Sequence, residues 1–314
     1  MRKILLSLMG ASLLLVSCSD DEVPQVYPND GNLSVTASIY SNLNRFAFSN
    51  GSELGLWVTG SETGEWYNVV PYANVMAKGE GVRELTWTLE LPVALSDEPA
   101  LVFAYYPYDY SVRNPYNIPV VIDQEYNGSV DYMYGSNKQT EKVTRSAPNA
   151  ELRMQHALAM IQFDLSIDTE QPYYGTGIIE EARIVALDEK GNLIQNKSLI
   201  QEGFMDCVNG DITGTAWGAI RIPDLKGKDF HRDFNGNYPA VLVAPTYDME
   251  HTAFMFNVDG KEFYVPLPNG TSWAKNTKNR YNIILSGMDM RIDDESIVVE
   301  DWNEGVHESH EFNF

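Results

Sequence analysis

The chain has 314 residues, a formal net charge of -22, 44% hydrophobic residues and only two cysteines. So acidic a surface repels phosphate backbones and anionic lipid headgroups, which excludes nucleic-acid binding and attachment to a membrane by charge. The apolar fraction is ample for sizeable cores, and the length suits two domains of ordinary size.

The N-terminus reads as an export signal. Arg2 and Lys3 precede an apolar run from Ile4 to Val16, too short for a membrane span of roughly 20 residues. Leu15-Val16-Ser17-Cys18 resembles the bacterial lipobox, in which the cysteine is acylated and becomes the mature N-terminus. Each buried methylene of an acyl chain contributes about 0.8 kcal/mol, so two or three chains hold a protein where one does not. Cys18 is therefore expected to be a lipid attachment point in the outer membrane, with residues 1–17 removed. Removing them takes the net charge to -24. Ser19-Asp20-Asp21-Glu22 resembles the acidic stretch that directs Bacteroidetes-type lipoproteins to the cell surface. The other cysteine, Cys207, has no partner for a disulfide and is expected to be a small, partly buried apolar residue.

Residues 18–31, acidic and carrying Pro24 and Pro28, suit a flexible tether. Asn32–Ile39 then alternates Leu33, Val35, Ala37 and Ile39 with polar partners, the period of a half-buried strand. Residues 83–92 repeat the pattern through Leu85, Trp87, Leu89 and Leu91. The run ALVFAYYPY at 100–108 is apolar throughout and predicts a strand buried on both faces. Its tyrosines, Tyr105, Tyr106, Tyr108 and Tyr110, are expected to straddle a core and a domain edge; exposed, they would stack on sugars. The polar, proline-containing stretch 139–151 is the expected boundary, giving domains 32–147 and 148–314.

In the second half, His156 sits in LRMQHALAMIQFDL among apolar neighbours, which favours a hydrogen-bonded histidine near a core over a ligand or base. ARIVALDEKGNLIQ (182–195) predicts a hairpin turning at Gly191-Asn192. AFMFNVDGKEFYVPLP (253–268) predicts another, since Asp259-Gly260 tolerates the positive φ of a type I′ turn. HRDFNGNYPAVL (231–242) fails as a calcium loop, because Leu242 stands where a bidentate acid is required. HESHE (307–311) reads as an extended tail, whose two histidines would point to opposite faces. Gly-x-Ser-x-Gly elbows and long runs at helical spacing are both absent, so no catalytic residue, cofactor or metal is expected. Short strands separated by turn chemistry imply an all-β chain of sandwich domains.

Several segments together identify a family. SNGSELGLWVTG (49–60), VFAYYPY (102–108), DYMYG (131–135) and MQHALAMIQFDL (154–165) occur in the order found in fimbrillin-like proteins. So do AVLVAP (240–245), FYVPLP (263–268), AKNTKNRYNIIL (274–285) and IVVEDW (297–302). The chain resembles these major and minor fimbrium subunits over nearly all of its mature length. The resemblance implies two tandem transthyretin-like β-sandwich domains and a non-enzymatic subunit of an adhesive surface filament. It also implies partnership with other fimbrial subunits and adhesion to a host protein or glycan. Subunits of this kind are trimmed by an arginine-specific protease, lose their first strand, and receive a strand from another subunit in its place. Carried onto this chain, the lost strand is Asn32–Ile39 and the cleavage point is Arg45, with Arg83, Arg113 and Arg145 as rivals. Residues 305–314 are the candidate donor, although only Val306, Phe312 and Phe314 of its alternate positions are apolar. The competing reading is a permanently lipid-anchored, glycan-binding surface protein.

Overall fold

The computed structural model describes residues 31–39, 48–62, 67, 72–81, 85–122, 130–194, 199–232, 234–247 and 249–302. Among the described residues there are twenty strands, two short 3-10 turns and no α-helix. The first eight strands are β1 (Ser34–Ile39), β2 (Glu53–Thr59), β3 (Tyr72–Glu80), β4 (Thr86–Leu89), β5 (Leu101–Tyr106), β6 (Ile118–Val121), β7 (Met133–Ser136) and β8 (Asn149–His156). Seven of them form one sheet in the order β1-β8-β7-β5-β2-β3-β4. The sheet rolls until its ends meet: β1 lies beside β4, and Asn32 bridges to Ala94.

Strand β5 shows how the sequence pattern becomes two layers. Ala100, Val102 and Ala104 join the inner core of the rolled sheet, with Leu54, Leu56, Val75, Leu152 and Met154. Leu101, Phe103 and Tyr105, of opposite parity, join a second core shared with the rest of the chain. An apolar run without alternation is what a strand with cores on both faces requires.

The second half begins with β9 (Ala159–Ile167), β10 (Ile179–Leu187), β11 (Leu193–Ile194), β12 (Ile200–Met205), β13 (Ile212–Trp217) and β14 (Ile220–Arg221). It continues with β15 (Ala240–Val243), β16 (Thr252–Val258), β17 (Lys261–Pro266), β18 (Thr277–Leu285), β19 (Met290–Ile292) and β20 (Val298–Asp301). Two sheets, β11-β10-β16-β17 and β15-β9-β18-β19, enclose a core of rings. Phe163 of β9 meets Phe254 of β16 edge-on with centroids 5.0 Å apart, and Tyr281 of β18 meets Phe254 at 5.1 Å. Trp273 donates its indole N–H to the Tyr281 hydroxyl over 2.8 Å, so the polar tips of these two rings satisfy each other. Burial pushes the Tyr281 phenol up to about 12.

The expected hairpin at Asp259-Gly260 forms as read: both residues have positive φ, 51° and 77°, between β16 and β17. The other expected hairpin turns over a longer loop, Asp188–Asn192, closed by the Asp188 N–H donating to Asn192 O over 2.7 Å. Within it Gly191 alone takes a positive φ.

Strand pairing departs from a division at 147/148. The polar stretch before it is the β7–β8 connection, tied into the first sheet by reciprocal backbone bonds between Val143 and Ala100. Strand β8 then pairs with β7 and β1, which carries the first sheet to His156. The chain crosses over at Ala157-Leu158, both buried, so no polar linker marks the spot. Conversely, β6 leaves the first sheet and pairs with β12, in a three-stranded sheet β13-β12-β6. The halves therefore interlock.

Candidate assembly groove

The sequence-predicted strand Asn32–Ile39 is realised as β1 with its preceding bridge. Its β-branched and small residues carry no charge, and its period-two pattern presents one apolar face. Leu33 and Val35 are buried in the first core, and Ala37 and Ile39 pack against it. The strand pairs with β8 in parallel, from Ser34 opposite Asn149 to Ile39 opposite Met154. On the other side, among the described residues, backbone hydrogen bonds hold only its start. Leu33 N–H donates to Val93 O over 2.8 Å, and Leu95 N–H donates to Gly31 O over 2.9 Å.

This strand thus closes a seam between β8 and the 93–95 segment. Without it, the backbone of β8 would lose its partners along one edge. Ala150, Leu152, Met154, Val93 and Leu95 would lose the side chains packed over them. An unpaired edge beside an apolar strip is the geometry that accepts another extended segment. Fully burying a Leu, Val or Ile side chain contributes roughly 1.5–3 kcal/mol, so the apolar face of β1 is worth about 5 kcal/mol to the first sandwich.

Cys18, Arg45 and residues 305–314 lie outside the described residues, as does Arg83. The segment containing Arg45 runs between two packed points, Ile39 on β1 and Phe48. The Phe48 ring stands edge-on to Trp87 at 5.5 Å. Of the rival arginines, Arg113 donates to the carbonyls of Tyr110 and Val112, and Arg145 donates to Leu95 O over 3.3 Å. Arg145 precedes β8, so a cut there would leave β1 on the far side of a break within its own sheet.

The tyrosine cluster divides as expected between core and edge. Tyr105 is fully buried, Tyr106 and Tyr108 are half-buried, and Tyr110 is 77% exposed. The Tyr105 ring covers Gly55, where any Cβ would come within 2.1 Å of it, and its hydroxyl donates to Asn74 Oδ1 over 2.7 Å. Asn74 in turn donates to the carbonyls of Asp109 and Val112, at 2.9 and 3.1 Å. Burial pushes the Tyr105 phenol far above its ordinary range. A flat sugar-binding platform across Tyr105–Tyr110 is not formed, because its first ring is committed to the core.

His156 is the hydrogen-bonded core histidine that its neighbours imply. Its Nδ1 lies 2.9 Å from Asp131 Oδ2, and its ring stacks on Trp302 at 3.7 Å. Neither partner was legible, since 25 and 146 residues separate them from His156 in sequence. Cys207 is more deeply placed than expected: it is fully buried, and desolvation raises its thiol far above the ordinary value. A thiol held in that state is inert. Sequence reading also missed the groove walls. The alternation of Ala150, Leu152 and Met154 marks β8 as a strand, but nothing local says that β1 is its neighbour.

No curated protein sequence matches this chain. A candidate cell adhesion protein from Bacteroides uniformis is similar in fold, with a TM-score of 0.63 and 16% identity. The match covers 88% of this chain and 99% of that one. A fimbrial protein from Bacteroides vulgatus is similar at a TM-score of 0.54 and 12% identity, over 86% of this chain and 99% of that one. The profile of the fimbrillin-like family matches residues 41–302, well over half of the sequence, and the chain belongs to that family.

Proposed function

We propose that this protein is a structural and adhesive subunit of a surface fimbria, exported as a lipoprotein and joined to its neighbours by strand exchange. Acylation at Cys18 delivers it to the outside of the outer membrane. Cleavage after Arg45 then releases the anchor together with β1, and a strand from another subunit fills the seam. The protein works by assembly and adhesion, without catalysis.

The observation that supports this most is the placement of β1. It is a terminal strand, uncharged, fully paired on one side only, and seated over an apolar strip. It is also the one strand in the described part of the first sheet that a single cut before Phe48 would detach without dividing any other. Family membership supports the cellular setting, a surface filament made with other fimbrial subunits.

N-terminal sequencing of protein shed from cells tests the reading. A start at Phe46, lost in an Arg45→Ala variant that also fails to form denaturant-resistant ladders, is the expected result. A blocked, lipid-modified cysteine on all surface protein, with no ladders, would favour the permanently anchored alternative.

A further inference from the structure

The second sandwich carries a cavity away from the β1 seam. It lies between the loop leading into β16 and the loop leaving β17, and has a volume of about 390 Å³. That is within the span of small-ligand sites, roughly 300–1,000 Å³. Met249 and Leu267 are buried beneath it, and Tyr247, Glu250, His251, Asn269 and Thr271 form its wall.

Backbone conformation and hydrogen bonds hold the described lining residues in place. His251 holds a φ of 71°, unusual for a residue with a Cβ, and its carbonyl accepts the Leu187 N–H over 2.7 Å. Such conformations persist only where the surroundings impose them, and they concentrate at ligand sites. On the facing loop, both the backbone N–H and the hydroxyl of Thr271 donate to Pro268 O, at 3.2 and 2.7 Å. Below both loops, Thr246 and Trp273 exchange backbone hydrogen bonds of 2.9 and 2.8 Å.

The chemistry of the wall narrows the ligand. Tyr247 is 69% exposed, so most of its ring is open to solvent at the mouth. A π-face carries partial negative charge and attracts the polarised C–H groups of an apolar surface. Around it stand a carboxylate acceptor on Glu250, an amide with both donors and acceptors on Asn269, and an imidazole on His251. Glu250 and His251, whose Oε1 and Nε2 lie 3.8 Å apart, remain open to solvent, and a purely apolar ligand would make no use of this polar rim. An anion would meet Glu250 and a chain of net charge -22. Among the described residues no group of three His, Cys, Asp or Glu side chains could hold a metal ion. A molecule with one C–H face and a rim of neutral hydroxyls matches the Tyr247 ring and the polar rim together.

We infer that this cavity binds a neutral pyranose unit of a glycan, stacked on Tyr247, with its hydroxyls hydrogen-bonded to Glu250, Asn269 and His251. The site is independent of the β1 seam, none of whose residues line it, so a chain that fails to polymerise would still bind sugar.

Saturation-transfer NMR on the full chain tests this, using the methyl glycosides of glucose, galactose, mannose and N-acetylglucosamine, with N-acetylneuraminic acid as the charged comparison. At least one neutral glycoside should receive transfer on its ring C–H protons. Tyr247→Ala and Asn269→Ala should each weaken that binding about tenfold, a loss near 1.4 kcal/mol. Tyr110→Ala, on an exposed ring outside the cavity, should leave it unchanged. Thermal melts of the same samples establish that each variant is folded. Transfer to none of the neutral sugars, transfer only to N-acetylneuraminic acid, or binding that survives both cavity variants would overturn the assignment.

Discussion

The described residues contain two parallel strand pairs, β1 with β8 and β9 with β18, and they are built for opposite purposes. Strand β18 lies in the interior of its sheet, with β9 along one side and β19 and β20 along the other. Every second side chain from Asn279 to Leu285 is buried. Strand β1 lies at a margin, and on its second side, among the described residues, backbone hydrogen bonds hold only its start. The second core is filled by interlocking rings, whereas the face of β1 is made of Leu33, Val35, Ala37 and Ile39. Interlocking rings resist removal, because no other segment reproduces their shapes. A row of small and medium aliphatic side chains on an extended backbone makes fewer demands of shape on the segment that supplies it. The same sandwich architecture thus yields one half closed by interlocking rings and one half whose marginal strand is, in the proposed function, the part exchanged.

The contrast can be broken most directly at the seam. Deleting residues 32–39 should lower unfolding stability by about 5 kcal/mol, a large share of the roughly 5–15 kcal/mol typical of a whole protein. A synthetic peptide of the sequence NLSVTASI should restore most of it in urea titrations. Indifference to the deletion, or failure of the peptide, would remove the distinction between the two halves.

Phe254→Ala is the counterpart in the closed half. It should cost about 3–5 kcal/mol through lost contacts and the cavity left among Phe163, Trp273 and Tyr281. No added peptide should rescue it, and calorimetry of the two variants with and without peptide makes the comparison.

Tyr105→Phe probes the layer between the halves. It leaves Asn74 Oδ1 buried without its 2.7 Å partner and should cost about 1–3 kcal/mol. The change should appear in denaturant midpoints with an unchanged slope.

The smallest effect is expected at Asp259, whose carboxylate accepts hydrogen bonds from Tyr173, Thr176 and the Gly177 N–H. These bonds, the Thr176 hydroxyl foremost, hold its pKa below the ordinary 3.8. A depressed carboxyl contributes stability above its unfolded value and loses it as pH falls further. Melting temperature should therefore drop below pH 3.8 more steeply in the parent than in Asp259→Asn. Parallel curves would show that this turn contributes nothing through its charge.

Much of this architecture was legible because it depends on near neighbours in sequence. The strand at 34–39, the two-faced run through Leu101–Tyr106 and the Asp259-Gly260 hairpin follow from alternation and from backbone freedom at two residues. The candidate site was only half legible. The pattern of β1 marks a strand with one apolar face, yet its parallel partner lies 115 residues away, at Asn149 opposite Ser34. The expected boundary at 147/148 and the strand pairing differ for a related reason. Polar composition found the β7–β8 connection, while the passage between the sheets at Ala157-Leu158 is buried in the second core and looks like strand.

The sequence by itself determined that this protein would be all-β, acidic and built from short alternating strands, since side-chain period and turn chemistry act over a few residues. Tertiary structure alone decided which strand would sit at a seam, that β6 would cross to the other half, and that Tyr247, Glu250, His251 and Asn269 would ring one cavity. Those outcomes depend on loop closure and core packing between distant segments, where many pairings satisfy the local pattern and only the packed whole selects one.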